Sequence, residues 1–209
     1  MWDEALRELK DVVLKPVARL LLGSITANQM TILGLVLGLA SAVCFAVHLP
    51  VAGMLLWGLN RVADGLDGTL ARLGNKQSDF GGFLDLVCDL VVYAAIPVGL
   101  TVQASSGGPA QTDRAWLALS GLLAVFYVNI GSLFYLSALI QKQQQAGSSP
   151  RVTSVPFPSA LIEGFETVVF YTLFMAFPRY LVGLFTVFSL GCVVNIIQRF
   201  NWFRINATS

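Results

Sequence analysis

The sequence predicts an all-α integral membrane protein with six transmembrane helices and an N-terminal amphipathic helix on the membrane surface. Hydrophobic residues make up 56% of the 209 residues and charged residues only 12%, whereas soluble domains carry about 25% charged residues. Six apolar segments have about the 20 residues that a helix needs to cross a bilayer, and the cations concentrate on alternate connections between them. The net charge of +1 gives no electrostatic support for a nucleic-acid partner.

Residues 1–24 are predicted to form an amphipathic juxtamembrane helix. Their acidic and basic residues are mixed, unlike the basic segment and apolar core of a cleavable signal peptide, so no such peptide is expected here. Cationic side chains would face lipid headgroups while the apolar face enters the membrane surface. The alternative is a solvated helix that packs on the protein itself. The apolar residues that recur at helical spacing are Trp2, Leu6, Leu9, Val13, Val17 and Leu20.

Residues 25–204 are predicted to form one domain of six helices. Backbone exposed to lipid must satisfy its own hydrogen bonds, so apolar spans of this length are helices. Stretches rich in Gly, Ser, Pro and Gln predict loops at 104–113 and 141–154. The predicted spans are 28–48, 51–73, 82–102, 116–140, 158–177 and 180–198.

The lysines and arginines predict the orientation of the chain. With six spans, four groups of cations fall on one side of the membrane, and only Arg114 and Arg179 fall in the loops on the other side. Because cytoplasmic loops carry the excess of lysine and arginine, both termini are predicted to be cytoplasmic. The cations on that side are Arg7, Lys10, Lys15, Arg19, Arg72, Lys76, Lys142, Arg151, Arg199 and Arg204.

Four aspartates in the second and third spans predict a metal site near the cytoplasmic surface. Asp64 and Asp67 are spaced i, i+3, and Asp85 and Asp89 are spaced i, i+4, so each pair shares one helix face. A carboxylate at the centre of a span costs roughly 2.5 to 3.5 kcal/mol, and bound divalent cations would offset the repulsion among four of them. If the two spans are antiparallel neighbours, the pairs face each other and can hold two ions. Oxygen ligands alone favour magnesium or manganese over zinc.

The neighbouring residues favour a phosphate ligand. Gly68 has no side chain, so a ligand can approach the backbone there, and Arg72 offers a bidentate fork for phosphate oxygens. The alternative for Arg72 is a plain cytoplasmic anchor. Two metal ions in a dry cavity suit phosphoryl transfer, because they stabilise the entering and leaving oxygens.

These acids and their neighbours form a longer pattern. The chain reads Asp64-Gly-Leu-Asp67-Gly68-Thr-Leu-Ala71-Arg72, and after eight residues Gly81, Asp85 and Asp89 follow at intervals of four. This pattern resembles the signature of the CDP-alcohol phosphotransferase family, with every specified position occupied. The resemblance implies an enzyme, a CDP-alcohol phosphatidyltransferase, that moves a substituted phosphate from a CDP-linked alcohol to a hydroxyl acceptor and releases CMP.

The resemblance implies a role for each aspartate. Asp64, Asp67 and Asp85 would hold two ions of magnesium or manganese. Asp89 would contribute to one of these ions and would act as the catalytic base that takes the acceptor proton. Such a base is needed because a hydroxyl is a poor nucleophile until its proton is accepted.

The resemblance also implies contacts with the donor. In related enzymes the signature glycine and arginine, the first aspartate and a polar residue six positions after the arginine belong to the donor site. An Asn-x-x-Thr motif at the start of the first span adds two contacts, and Ala27 stands here where proline often precedes that motif. The compact six-span form resembles enzymes that use CDP-diacylglycerol, and family members are commonly homodimers. The implied donor residues are Asn28, Thr31, Asp64, Gly68, Arg72 and Ser78.

Glu163 and Glu166 form a second acidic pair near the start of the fifth span. One interpretation is that they line the pocket of the hydroxyl acceptor, and the other is capping of a helix, since carboxylates favour a helix N-terminus. The cations of the sequence form no compact basic cluster that would favour an acceptor carrying phosphate. An uncharged or zwitterionic alcohol is therefore expected. The run from Glu163 to Thr167 resembles uncharacterised bacterial members of the family, which indicate no acceptor.

Two other classes of protein compete with the enzyme. A divalent-cation transporter would use intramembrane carboxylates as its permeation site, but it does not explain Gly68, Arg72 and their spacing. A structural membrane protein with a decayed site is the third possibility, and the complete set of four aspartates argues against it.

Overall fold

The computed structural model of the protein describes residues 13–105, 108–145 and 160–207. Apart from one isolated β-bridge between Leu22 and Ile25, all regular structure in these residues is helical, which confirms the all-α prediction. A 3-10 turn at Pro178–Tyr180 precedes the last helix. In chain order the helices are α1 (residues 13–21), α2 (Ala27–Ala46), α3 (Pro50–Leu73), α4 (Asp79–Ala104), α5 (Pro109–Gln145), α6 (Gly164–Ala176) and α7 (Leu181–Ala207).

Four segments of the described residues are helical, long enough and apolar enough to cross a membrane, judged by length and composition. Helices α3 and α6 occupy the second and fifth predicted spans without meeting this criterion, because α6 has only 13 residues and the stretch 61–73 of α3 carries two arginines and two aspartates. The integral membrane class is therefore supported, whereas the predicted count of six spans is not confirmed. The four segments are Ala27–Ala46, Asp79–Ala104, Pro109–Lys142 and Pro178–Ile205.

The connection between α4 and α5 is shorter than predicted. The composition of 104–113 predicts a loop, but α5 already begins at Pro109. Proline is favoured in the first turn of a helix, where its missing amide hydrogen would have no partner in any case, and Gly108 before it has a φ of +101°. Helix α5 also continues to Gln145, so the first five residues of the predicted loop at 141–154 are helical, and the others lie outside the described residues.

The predicted surface helix lies partly outside the described residues. Residues 13–21 are helical, and Leu14 and Ala18 pack against a cluster of buried side chains that includes Met30 of α2. Leu20 is instead 83% exposed. The packing of α1 supports the alternative in which this helix rests on the protein, and contact of its exposed apolar residues with a membrane surface stays a prediction.

The described residues belong to two compact units. The first unit contains α1 to α4, the start of α5 through Asp113, and the segment Tyr171–Pro178. The second contains α5 from Arg114, the described chain from there through Phe170, and the residues from Arg179 onward. The predicted metal and donor residues all lie in the first unit.

Helix α2 packs against both α3 and α4 in the first unit. A side chain at Gly99 of α4 would collide with the carbonyl group of Ala42, so glycine allows these two backbones to touch. On the other side, the Asn60 amide of α3 donates a hydrogen bond of 2.8 Å to the Gly34 carbonyl of α2. These contacts hold α3 and α4 against a common neighbour and position the residues of the functional site.

Two buried polar side chains of α7 organise the second unit. The Asn195 side chain accepts a hydrogen bond of 2.6 Å from the Leu161 amide and donates one of 2.8 Å to the Ile162 carbonyl. Arg199, which is 5% exposed, donates bonds of 2.6 and 2.8 Å to the backbone and side-chain oxygens of Asn129 in α5. These two residues, spaced i, i+4, tie α7 to α5 and to the segment before α6.

Candidate active site

Three of the four predicted metal ligands converge between α3 and α4. One carboxylate oxygen from each of Asp64, Asp85 and Asp89 lies within 4.8 Å of the other two. The short connection at 74–78 turns the chain back, so that the acidic face of α3 meets the acidic face of α4. Each of the three side chains is half-buried. Carboxylates this close together repel one another in the absence of a cation, so their arrangement fits a divalent metal ion.

Asp67 lies beside these three residues and is itself buried, with 6% of its surface exposed. All four aspartates line one small cavity together with Thr31, and they are called the carboxylate cluster below. Thr31 Oγ1 lies 2.7 Å from Asp67 Oδ2, and the amide of Gly68 donates to the other carboxylate oxygen. Thr31, which the resemblance assigns to the donor, therefore contacts a predicted metal ligand and fixes its orientation.

Arg61 also lies at the carboxylate cluster, where the sequence indicates it only as one of two cations near the aspartates in the chain. Its Nη2 is 2.9 Å from Asp89 Oδ1, and its Nη1 is 3.9 Å from Asp64 Oδ1. The guanidinium carbon lies 4.7 Å from the ring centroid of Trp57 and 5.3 Å from that of Tyr93. The spacing of Arg61 and Asp64, i, i+3 on α3, is the sequence signal that indicates part of this contact.

A cavity of about 200 Å³ lies next to the carboxylate cluster. Asp67 and Asp85 line both this cavity and the smaller one. Arg72 and Lys76 bring two cations to its wall, which favours an anionic occupant. Four of the predicted donor residues, Asn28, Gly68, Arg72 and Ser78, line the larger cavity, whereas Thr31 and Asp64 line the smaller one.

The N-terminus of α4 forms one wall of the larger cavity. Ser78 caps this helix, because its Oγ accepts a hydrogen bond of 3.1 Å from the Gly81 amide. A Cβ atom at Gly81 would lie 3.3 Å from Asn28 Oδ1, so glycine lets the start of α4 approach α2 closely. The partial positive charge of a helix N-terminus adds to the two cations and favours a bound phosphate.

Gly68 and Arg72 are neighbours on one face of α3. A Cβ atom at Gly68 would lie 3.1 Å from Arg72 Nη1, and Arg72 Nη2 donates a hydrogen bond of 3.2 Å to Thr69 Oγ1. The absence of a side chain at residue 68 therefore leaves room for the arginine, and the threonine hydroxyl holds the guanidinium at the cavity wall.

Asp85 provides a test of whether the cluster fits a metal ion. Its half-buried carboxylate has no hydrogen-bond or ion-pair partner within residues 13–105, 108–145 and 160–207, whereas Thr31 and Arg61 contact Asp67 and Asp89. A carboxylate removed from water without a partner is unfavourable, so a cation beside Asp85 accounts for its position. The ligand atoms of the cluster are carboxylate oxygens, which suit magnesium or manganese.

Glu163 and Glu166 lie in the second unit, where α6 begins at Gly164 rather than at the predicted residue 158. The Glu166 carboxylate accepts a hydrogen bond of 3.1 Å from the Glu163 amide, and the Glu163 carboxylate accepts one of 3.0 Å from the Ala160 amide. The first bond is the return half of a capping box, in which the third helical residue reaches back to the cap. The geometry therefore supports capping, and the acceptor role of both residues stays a prediction.

Comparison with known proteins gives matches over most of the chain. The model of the family described as CDP-alcohol phosphatidyltransferase matches residues 24–198. The inner membrane protein YnjF of Escherichia coli is 31% identical over 176 residues, which cover 84% of this chain and 81% of that protein. A bifunctional IPC transferase and DIPP synthase of Thermococcus kodakarensis is 36% identical over 121 residues, or 58% of this chain and 28% of that protein. The phosphatidylinositol phosphate synthase of Corynebacterium glutamicum is 36% identical over 93 residues, or 43% of this chain and 42% of that protein.

Crystal structures of the phosphatidylinositol phosphate synthase PgsA1 of Mycobacterium tuberculosis have a similar fold. The structure with CDP-DAG bound superposes with a TM-score of 0.68 and 22% identity, and the match covers 90% of this chain and 92% of that chain. The complex with manganese and citrate gives a TM-score of 0.66 and 20% identity over 90% of this chain and 87% of that chain. At this level of identity the likeness establishes a shared fold.

Proposed function

We propose, because this chain belongs to the CDP-alcohol phosphatidyltransferase family, that it transfers a phosphatidyl group from CDP-diacylglycerol to a hydroxyl acceptor in phospholipid biosynthesis. One observation carries the proposal: Asp67 and Asp85 belong both to the carboxylate cluster and to the wall of the cavity that Gly68 and Arg72 line. A phosphate bound beside Arg72 would therefore lie next to the acidic groups that the reaction requires.

The proposed reaction exchanges one phosphorus–oxygen bond for another. The acceptor oxygen attacks the phosphorus that carries the diacylglycerol ester, and the bond from this phosphorus to the bridging oxygen breaks. CMP leaves with that oxygen, and the acceptor proton passes to Asp89 and then to water. Proton acceptance by a positioned base contributes typically about 10²- to 10⁴-fold to such a rate.

The carboxylate cluster is proposed to hold two divalent ions, magnesium or manganese. Asp64, Asp67 and Asp85 would be the main ligands, and Asp89 would contribute to one ion. When bound, the ions neutralise negative charge on the pyrophosphate oxygens. The carboxylate of Asp85, which has no hydrogen-bond or ion-pair partner among the described residues, supports this assignment, and so does the manganese complex of the structural relative PgsA1.

The larger cavity is proposed to bind the CDP part of the donor. Arg72 and Lys76 would contact its phosphates, together with the N-terminal amides of α4, while Asn28 and Ser78 supply further polar groups at the wall. CDP-DAG is bound in one PgsA1 structure with the same fold. The acyl chains of the donor would lie in the bilayer. The long apolar helices of this chain support this placement.

The acceptor is proposed to be an uncharged or zwitterionic alcohol, as the scattered cations of the sequence predict. The names of the relatives in Corynebacterium glutamicum and Mycobacterium tuberculosis point to phosphatidylinositol phosphate as the product of those proteins. Alcohols that carry phosphate are therefore the main alternative acceptors, and any test has to include them. We further propose a homodimer whose active site and termini face the cytoplasm, following the family resemblance and the distribution of cations.

The proposal is tested by release of CMP from CDP-diacylglycerol by the purified protein with magnesium or manganese. The assay compares uncharged, zwitterionic and phosphorylated alcohols as acceptors. Wild-type protein is expected to release CMP in proportion to a new phospholipid, and Asp64→Asn is expected to release none. Asp113→Asn, which changes an exposed aspartate away from both cavities, is the matched control. Absence of CMP release with every acceptor and either metal contradicts the proposal.

A further inference from the structure

We propose that Arg61 is a positioning residue that fixes Asp89 and limits the affinity of the carboxylate cluster for divalent ions. The inference rests on the proposed function and extends it to a residue outside the family signature. Arg61 Nη2 lies 2.9 Å from Asp89 Oδ1, and the arginine side chain is only 14% exposed. An ion pair withdrawn from water is screened less than a surface pair, so this contact holds the carboxylate firmly.

The position of the Arg61 guanidinium is set by groups other than the aspartates. Its Nε donates a hydrogen bond of 2.8 Å to Asn60 Oδ1, and its Nη1 donates one of 3.0 Å to the Tyr93 hydroxyl. The guanidinium also lies over the rings of Trp57 and Tyr93, a favourable arrangement for a cation. Arg61 would therefore stay in place if the carboxylates turned towards a metal ion.

The aromatic residues around Arg61 are themselves anchored. Trp57 Nε1 donates a hydrogen bond of 3.2 Å to Thr172 Oγ1, and the Tyr171 hydroxyl donates one of 2.7 Å to the backbone carbonyl of Tyr93. Trp57 and Tyr171 are stacked, with ring centroids 6.0 Å apart. Residues of α3, α4 and α6 within the first unit thus build a fixed site for one cation beside the cluster.

A fixed cation at this position has two consequences. Arg61 supplies positive charge but no ligand atom, so it competes with a metal ion for Asp89 Oδ1. At 3.9 Å from Asp64 Oδ1, it also weakens the attraction of that carboxylate for a metal ion. It also restricts the rotation of the Asp89 side chain, so the proposed base keeps one orientation towards the acceptor. The first consequence lowers metal affinity and the second raises turnover.

Arg61→Gln separates these consequences from a merely structural role. The measurements are the binding of Mn²⁺ alone to purified full-length protein, followed by the electron paramagnetic resonance of the free ion, and kcat and KM for CDP-diacylglycerol. Relative to wild type, the variant is expected to bind Mn²⁺ roughly tenfold more tightly, because one positive charge leaves the cluster. Its kcat is expected to fall about 100-fold, with KM for the donor nearly unchanged.

Two further variants keep the test decisive. Tyr93→Phe removes the hydroxyl that holds Nη1 and is expected to change both quantities in the same directions by a smaller factor, so it replaces Arg61→Gln if that variant does not fold. Arg114→Gln, at an exposed arginine outside the first unit, should match wild type in both measurements.

The outcomes distinguish this inference from the proposed function. If Arg61→Gln binds Mn²⁺ no more tightly than wild type, or if it raises the KM for the donor while kcat is kept, the role of Arg61 is refuted and the metal site stands. If wild-type protein binds no Mn²⁺, the metal site itself is refuted and the inference falls with it.

Discussion

Thr31 Oγ1 lies 2.7 Å from Asp67 Oδ2 and so connects α2 to the α3 side of the carboxylate cluster. These two residues are 36 positions apart in the chain, and both are buried, with 7% and 6% of their surfaces exposed. The contact means that the first span contributes to the orientation of a predicted metal ligand as well as to the packing of the first unit.

Thr31→Val is expected to weaken metal binding. A hydrogen bond to a charged group contributes roughly 1.5 to 3 kcal/mol, so losing the hydroxyl should raise the Mn²⁺ concentration for half-maximal CMP release about 10- to 100-fold. Thr31→Ser keeps the hydroxyl and is the control. A change in the KM for CDP-diacylglycerol at saturating Mn²⁺ would instead support the direct donor contact that the resemblance implies.

Asp89→Asn is expected to abolish turnover while keeping most of the binding of CDP-diacylglycerol. The amide cannot accept the acceptor proton, so kcat should fall by about 10²- to 10⁴-fold. Asp85→Asn is the comparison, because it removes the charge of a carboxylate that lines both cavities. This variant should weaken metal binding and donor binding together. Equal loss of binding and turnover in Asp89→Asn would refute its assignment as the base.

Gly68→Ala is expected to weaken donor binding without unfolding the protein. The new Cβ would lie 3.1 Å from Arg72 Nη1, so the guanidinium must move away from the cavity wall, and the KM for CDP-diacylglycerol should rise about tenfold, or roughly 1.4 kcal/mol. Gly58→Ala is a matched control in the same helix, since nothing lies within 4 Å of its added methyl group. Both variants gain helix propensity of up to about 1 kcal/mol, and similar melting temperatures would confirm that packing is intact.

Glu166→Ala is expected to destabilise the second unit by about 1 kcal/mol, the usual effect of losing a capping interaction. Glu166→Gln should preserve stability, because glutamine can also accept the hydrogen bond that the Glu163 amide donates. Thermal unfolding of the two variants in detergent measures the difference. An increased KM for the acceptor in both variants, with unchanged stability, would support the acceptor pocket instead.

The meeting of the two acidic pairs could be predicted from the sequence, because helical spacing determines which residues share a face. Asp64 and Asp67 are spaced i, i+3, and Asp85 and Asp89 are spaced i, i+4. The two pairs can therefore meet if α3 and α4 are neighbours. A five-residue connection makes them so, and the three carboxylate oxygens within 4.8 Å agree with that prediction.

The environment of Arg61 could not be predicted in the same way. Trp57 is on the same helix, but Tyr93 is 32 residues away and Tyr171 is farther along the chain. Contacts between side chains that are distant in sequence depend on how helices pack, and no local pattern records them. Asn28 and Ser78 show the intermediate case, since the resemblance places them in the donor site and the structure adds the capping role of Ser78.

The early start of α5, at Pro109 within the loop predicted at 104–113, has a local cause. Gly, Ser, Pro and Gln in this stretch predict a loop by composition, yet Pro109 opens α5 and Thr112 donates a hydrogen bond of 2.9 Å to the Gly108 carbonyl within its first turn. A residue that breaks a helix in its interior is compatible with its first turn. Pro109 therefore starts α5, because it lies in the first turn of the helix and not in its interior.

Because Asp67 and Asp85 each face two cavities, occupancy of one cavity must alter the free energy of filling the other. Such thermodynamic linkage is reciprocal: whatever factor the ions apply to lipid affinity, the lipid applies to ion affinity. On the proposed function, a dissociation constant for CDP-diacylglycerol would therefore have meaning only at a stated concentration of free divalent cation.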